Sequence, residues 1–493
     1  MKTQEDINKS LSDYSVLLTN KFIFIGLSLL SVPFLTRILG KAGYGQLNLF
    51  YLVANIAFIA FISWNSASIL RFGKEEYVRE EKLNKVFWAR NILIGAGILI
   101  AIPIFLIFKE RIDEYLQFNF AYIFIIIFLL VRIGWDYNKY IFQATGKLKI
   151  SSLIELIPRT FFVLSILILF FLNIKNIIFI LVVLIVSQLL TTIISFKWIN
   201  LGWFFPVRTN KKIIKEILSF SYPLIFSSLA AYVINYVDLL VIKKYFSISD
   251  VGVYSLSYNI MRYLHQIIAT IIIVTGPILI GLYTEKREDI IKTYIKRLIP
   301  QGIFGWSIIL VIGIVCLPFF LPIIFGEEFN LSVLPAQILL VGLLINGIAC
   351  FYSGVITTYK IIKPMVIINI IMSILNFIGD VLLVPRIGII GAAISSAVSF
   401  SLGGVGYMYL GNKRLKLKEI KSTVFLIPVM IAFIGVHYKI NLFFSLAGII
   451  FVYFLIISKF KLFSVSDIQL LDKITMPSKL RKVIYKLYFV LGQ

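Results

Sequence analysis

Histidine and cysteine are almost missing from this chain, with two of each in 493 residues. Cys316 and Cys350 both fall inside apolar runs and read as small core residues. That leaves no framework for disulfides or zinc, and no Cys/His pair for nucleophilic work. No Walker motif is present, which argues against ATP hydrolysis. Charge is scarce too, at 15% of residues against about 25% in a soluble protein. Large polar loops are also lacking: the longest connection is about twenty residues. A glycosyltransferase, polymerase or ligase would need a larger extramembrane part.

What fills the chain instead is hydrocarbon, with 59% of residues hydrophobic. Apolar runs near twenty residues recur, as a polytopic membrane protein requires. Backbone groups in lipid must pair internally, so the runs are expected to be helices. Fourteen spans are expected, at about 15–36, 46–69, 88–108, 119–140, 152–172, 177–197, 217–241, 253–282, 298–322, 335–358, 364–384, 388–410, 422–437 and 441–458. Pro318 and Pro322 are expected to interrupt the ninth. Residues 1–14 are polar and lead into a first span too long for a signal-peptide core, so no cleavable signal is expected.

The net charge is +24. In a soluble protein this would suggest nucleic acid. Here it fits Lys- and Arg-rich cytoplasmic loops against anionic lipid heads. With the N-terminus placed in the cytoplasm, the cytoplasmic loops and both termini hold 34 Lys and Arg, and the external loops hold nine. Both termini are therefore expected in the cytoplasm.

One corner organises the chain. Leu39-Gly40-Lys41-Ala42-Gly43-Tyr44-Gly45 joins the first two spans, and its glycines allow a tight reversal. A weaker copy follows at Lys244-Tyr245-Phe246-Ser247-Ile248-Ser249-Asp250-Val251-Gly252. Laying Gly252 on Gly45 puts Lys244 on Arg37. An even number of spans separates the copies, so the halves are expected to be parallel repeats. The expected division is a lobe over 1–200, a basic linker over 201–216, a second lobe over 217–411, two further helices over 412–460, and a basic tail over 461–493. The tail reads either as a helix on the inner leaflet or as a solvated segment.

Five basic residues remain inside spans: Lys21, Arg90, Arg132, Arg159 and Arg262. So do four acids, Asp136, Glu155, Asp238 and Asp380. Each charge at the bilayer centre costs roughly 2.5–3.5 kcal/mol. Such residues face a cavity, a partner or a substrate. Arg132 with Asp136, and Glu155 with Arg159, are four apart and share a helix face. Either each pair neutralises itself and fixes packing, or the set is a cationic lining tuned by acids. Arg262 has no acid one turn away and has His265 on its face. Lys21 and Arg90 either line the cavity or snorkel to the interface. Arg71 ends the second span, as a guide for an anionic head group or as a loop charge. Asp238 and Asp380 read as ion-coupling groups or as solvated helix-end acids. His437 is expected at the interface.

Three stretches carry a family resemblance. The corner Leu39–Gly45 resembles the Leu-Gly-x-x-x-Tyr-Gly corner of the oligosaccharide/polysaccharide flippases, within the multidrug/oligosaccharidyl-lipid/polysaccharide exporter superfamily. Trp64-Asn65-Ser66-Ala67-Ser68-Ile69-Leu70-Arg71-Phe72-Gly73 resembles their second-span ending. Pro385-Arg386-Ile387-Gly388-Ile389-Ile390-Gly391 resembles their turn between the eleventh and twelfth spans. The resemblance implies an all-α fold with two six-helix lobes in a V around a central cavity. It also implies alternating access, and an undecaprenyl-diphosphate-linked sugar cargo for O-antigen or capsule assembly at the inner (plasma) membrane. Polysaccharide polymerase machinery is an implied partner. Coupling to Na+ or H+ is implied without an assignable acid, and no other cofactor is expected. On this reading Arg262, Arg132, Arg159, Arg90, Lys21 and Arg71 bind substrate, while Asp136, Glu155, Asp238 and Asp380 are the coupling candidates. The alternative is a multidrug or cation antiporter of the same superfamily. A lipid II flippase ranks below both, because that branch has a somewhat different first-span motif.

Overall fold

The structure, a computed structural model, describes residues 4–464. The basic tail beyond, and the reading of it, lie outside the described residues. The described residues form seventeen α-helices and no strand. They are α1 (Gln4–Phe61), α2 (Lys74–Glu80), α3 (Asn84–Ile107), α4 (Lys109–Leu116), α5 (Ala121–Ala144), α6 (Leu148–Phe171), α7 (Ile177–Ser195), α8 (Lys211–Tyr245) and α9 (Ile248–Ala269). Then follow α10 (Ile271–Thr284), α11 (Glu288–Thr293), α12 (Ile299–Phe325), α13 (Val333–Thr358), α14 (Ile362–Ile387), α15 (Ile389–Leu415), α16 (Leu426–His437) and α17 (Leu442–Phe460). Most expected spans fall on one of these helices each; the eighth, 253–282, is divided at Thr270 between α9 and α10, and the second, 46–69, outruns α1. Ten helical stretches among the described residues are long and apolar enough to cross a membrane, and one of them, Val16–Phe61, holds most of the first two spans.

Local sequence sets the element ends. Asn176, Asn210 and Asn441 each cap a helix N-terminus through their side-chain oxygen, which satisfies an otherwise orphaned N–H. Gly40, at φ 62° and ψ −178°, breaks α1 into two helices. That conformation is open at little cost only to glycine, which has no Cβ. The second span does not end as a regular helix. Beyond Phe61 it passes through a tight turn at Ser63–Asn65 and a widened one at Ile69–Gly73.

The ninth span is not interrupted by its prolines: α12 runs unbroken through Pro318 and Pro322. A proline frees the carbonyl four residues back. Here Gln337 Nε2 donates to the Ile314 carbonyl at 2.9 Å. The same solution recurs in α6, where Pro158 frees Ile154 and Trp135 Nε1 donates to its carbonyl at 2.9 Å. Neighbouring side chains thus replace the missing backbone donor, as helices in lipid demand.

Packing groups the chain into two compact units. One holds the residues up to Ser255 with Ile324–Glu328, and the other holds Leu256–Ile323 with Phe329 onward. This division follows packing, whereas the expected lobes follow span count, so α8 lies in the first unit. In the second unit α13 is buried along most of its length, and α15 packs on it closely.

The two copies of the glycine corner meet within the first unit. A Cβ on Gly45 would lie 2.1 Å from the Ile248 carbonyl oxygen, and one on Gly252 would lie 1.9 Å from that of Lys41. The contact is reciprocal under the alignment that lays 252 on 45, because 248 then falls on 41. Bare backbone at both positions lets the two helices touch.

The segment between α7 and α8 is tied down on the first unit. Leu83 N–H donates to the Trp203 carbonyl, Trp88 Nε1 to that of Phe204, and Asn84 Nδ2 to that of Pro206. The buried Glu76 carboxylate accepts the Lys85 and Val86 N–H groups of the first turn of α3.

Gly252→Ala should destabilise the protein by about 1–3 kcal/mol or more through overpacking. Gly26→Ala should be neutral, since nothing lies within 4 Å of a Cβ there. Thermal melting of the purified protein in detergent checks both.

Candidate functional site

The first unit gathers most of the intramembrane charges, but not in the pairs that helical spacing suggests. Arg90 on α3 is fully buried rather than snorkelling. Its Nη2 donates to Asp136 Oδ2 at 2.7 Å and to Ser66 Oγ at 2.7 Å, while its Nε donates to Asn65 Oδ1 at 2.7 Å. Ser66 Oγ in turn donates to Asp136 Oδ2 at 2.6 Å. The guanidinium also lies 4.2 Å from the Tyr137 ring centre. The irregular end of the second span positions Asn65 and Ser66 here. It turns two polar side chains toward α3 and α5.

On α5 and α6 a second exchange has occurred. Lys139 Nζ pairs with Glu155 Oε1 at 2.5 Å. Neither i,i+4 pair forms: Asp136 goes to Arg90 and Glu155 to Lys139. Arg132 and Arg159 therefore have no carboxylate in ion-pair range among the described residues. Their Nε atoms are buried without a hydrogen-bond partner. Arg159 Nη2 donates to Ser31 Oγ at 2.9 Å. Arg132 is held by rings, with Phe58 at 4.9 Å, Phe128 at 5.1 Å and Trp135 at 5.5 Å. Such contacts attract a cation without neutralising it.

Register places these two arginines at one depth. The Trp135 to Ile154 bond levels α5 with α6. Arg132 and Arg159 lie three and five residues further from the connecting turn, about 4.5 and 7.5 Å along the axes. The Asp136 carboxylate, though bonded to Arg90, is within electrostatic reach of Arg132, as are the hydroxyls of Tyr232, Tyr51 and Tyr236. The Tyr232 and Tyr236 rings stack at 4.5 Å.

The remaining candidates lie elsewhere. Lys21 is half-buried, 5.5 Å from the Phe24 ring centre. Arg71 is exposed and pairs with Glu75 at 2.7 Å. Asp238 is buried and accepts a hydrogen bond from Tyr254, so it is not a solvated helix-end acid. In the second unit Arg262 lies 5.6 Å from the Tyr263 ring centre. His265 bonds Asn346, and its Nε2 is 3.6 Å from Cys350 Sγ. Asp380 is fully buried, again not solvated. One turn before it, Asn376 Nδ2 reaches Ser395 Oγ at 3.1 Å and Ser396 Oγ at 3.3 Å. His437 is exposed at the end of α16.

Sequence reasoning missed Asn65, Ser66, Lys139 and Ser31. The run Trp64-Asn65-Ser66 was a readable signal, being polar residues in an apolar span. Lys139 looked like a loop charge because it falls in the last residues of its span. Among the described residues no three His, Cys, Asp or Glu side chains converge as metal ligands.

Solved structures share this fold. The lipid II flippase MurJ in an inward closed conformation matches 94% of this chain and 100% of its own, with a TM-score of 0.66 at 14% identity. An inward-facing multidrug resistance MATE transporter of the MOP superfamily matches 82% and 98%, with a TM-score of 0.60 at 14% identity. A MOP superfamily transporter from Pyrococcus furiosus, described as having a binding pocket of reverse polarity, matches 82% and 95%, with a TM-score of 0.52 at 15% identity. No curated protein matches the sequence. The family described as polysaccharide biosynthesis protein matches residues 10–282. The chain is thus a multi-pass membrane protein with the fold of these transporters, and it belongs to the polysaccharide biosynthesis protein family.

Proposed function

We propose that this protein is a flippase carrying diphosphate-linked oligosaccharide lipids from the cytoplasmic to the outer leaflet, for O-antigen or capsule assembly. The observation that carries the reading is the pair Arg132 and Arg159, two guanidinium groups at one depth with no carboxylate taken up. A diphosphate is an anion, and guanidinium in low dielectric is its natural partner. A drug antiporter handling cations would call for the opposite sign. The membrane potential, negative inside, favours outward anion movement by about 2.3 kcal/mol per charge per 100 mV. The family match and the lipid flippase among the structural neighbours support the same class.

In this reading the protein sits in the inner (plasma) membrane with both termini in the cytoplasm and works by alternating access. Arg262 and Lys21 serve the cargo as secondary cations, and polymerase machinery consumes the product outside. Asp136 and Glu155 are taken up by cations from other helices, so ion coupling falls to Asp380 and Asp238. Asp380, with Asn376, Ser395 and Ser396 beside it, offers the oxygen-rich surroundings that a Na+ or proton needs.

Arg132→Ala should abolish surface polysaccharide in a strain relying on this copy, with membrane insertion unchanged. Cargo binding should weaken by about 1.5–3 kcal/mol, the worth of a hydrogen bond to a charged group. Normal polysaccharide, or acquired drug resistance on expression of the wild type, would overturn the reading. Asp380→Asn should remove any dependence of transport on Na+ or proton gradients in reconstituted vesicles. A dependence that survives would take Asp380 out of the coupling.

A further inference from the structure

Arg132 and Arg159 each have an acid one helical turn away on their own helix. At that spacing the side chains are neighbours, and in low dielectric an exposed opposite charge is strongly attractive. The order Glu155 then Arg159, acid toward the N-terminus, is moreover the favourable one. Left alone, both arginines would be quenched by Asp136 and Glu155. Neither is directly paired, because each acid is held by a cation that arrives from a different helix, and Asp136 acts on Arg132 only from a distance.

The two interceptions are built differently. Arg90 brings three donor contacts: one to Asp136, one to Ser66 and one to Asn65. Ser66 closes the set by donating to the same carboxylate oxygen. Both Arg90 and Asp136 are almost fully withdrawn from solvent, with side-chain exposures of 0% and 7%. Lys139 makes one short ion pair with Glu155, with exposures of 25% and 38%. The result is the same in both places. Arg90, Asp136 and Arg132 sum to a single positive charge, and it resides on Arg132. Lys139, Glu155 and Arg159 sum to a single positive charge, and it resides on Arg159. A diphosphate esterified at both ends carries one negative charge on each phosphorus. The charge left available matches it.

We infer that Arg90 and Lys139 are charge-allocating residues: each sequesters a carboxylate and so keeps Arg132 and Arg159 open for the two phosphates of the cargo. They are positioning residues and touch no cargo. The inference rests on the proposed diphosphate cargo. It differs from that proposal in what it requires of residues on α3 and at the end of α5. If Arg90 is lost, Asp136 turns to Arg132 and cancels it. If the acid is then removed as well, Arg132 is open again.

The test is binding of farnesyl-diphospho-N-acetylglucosamine, a diphosphate esterified at both ends, to the purified full-length protein in detergent. Arg90→Gln should weaken binding about tenfold, the loss of one charge-assisted contact. Arg90→Gln with Asp136→Asn should recover to within about threefold of wild type. Lys139→Gln, and Lys139→Gln with Glu155→Gln, should behave the same way. A purely structural role is rescued by the second substitution too, because the single variant strands a carboxylate and the double does not; it lowers the melting temperature together with binding, whereas allocation weakens binding by the Lys139→Gln variant at an unchanged melting temperature. Binding of either single variant at wild-type strength, or a double variant as weak as its single, overturns the inference. If the Arg90 variants fail to fold, the half-exposed Lys139 pair decides alone. Arg132→Ala in the same assay separates the two claims. If it binds as wild type, the proposed function fails. If it loses binding while the double variants show no rescue, the allocation fails and the function stands.

Discussion

A charge carried into the hydrocarbon layer has to be answered within reach of its own side chain, because water is not there to do it. That requirement shapes the first unit more than any other. It explains why Arg90 is buried with a carboxylate, a hydroxyl and an amide around it. It also explains why the second span gives up regular helix at Ile62 to Gly73, where Asn65 and Ser66 become the answering groups. And it makes Arg132 and Arg159 conspicuous, because among the described residues neither has a carboxylate in direct contact: Ser31 and rings answer Arg159, and rings and the more distant Asp136 answer Arg132. The protein tolerates that expense at one depth on two adjacent helices. A structural role would have been met by the acids already present one turn away.

The fold alone does not select a cargo. The neighbours that share it include a lipid flippase and drug transporters, all at about 14% identity. Sites grafted on a shared scaffold carry the difference. On the function proposed, the sign of the uncompensated charge is the discriminating feature, and it is set by which acid pairs with which base. Simple composition of the spans, with five bases and four acids, would have given nearly zero net preference.

Much of the architecture was legible. Span length placed the long apolar helices, since hydrophobic thickness acts directly on composition. The alignment of Gly252 with Gly45 was readable because only glycine allows the reciprocal backbone contact that the structure shows. The pairing of charges was not readable. Spacing states that Arg132 can meet Asp136, and it is silent about a third side chain on α3. Arg90 looked like an interfacial residue because its apolar run seemed to start at 88, whereas α3 begins at Asn84 and carries it inward. The end of the second span was hidden for the same reason. Its unwinding is a response to partners on other helices, which a single run of sequence does not display. Pro318 misled in the opposite sense, because the helix-preserving donor, Gln337, comes from another helix.

The indole of Trp135 joins two of these themes. It supplies the donor that Pro158 denies to α6, and it forms part of the ring wall around Arg132. An ordinary helix resists flexing because successive backbone bonds must stretch together. At Ile154 the ladder is closed by a side chain, whose release forfeits about 1 kcal/mol and no backbone register. The helix is therefore compliant at one level, immediately before Arg159. Rotation of a single tryptophan would soften α6 there and reshape the surroundings of Arg132 in the same movement, so that the elasticity of one helix is tied to the packing of a charge on its neighbour.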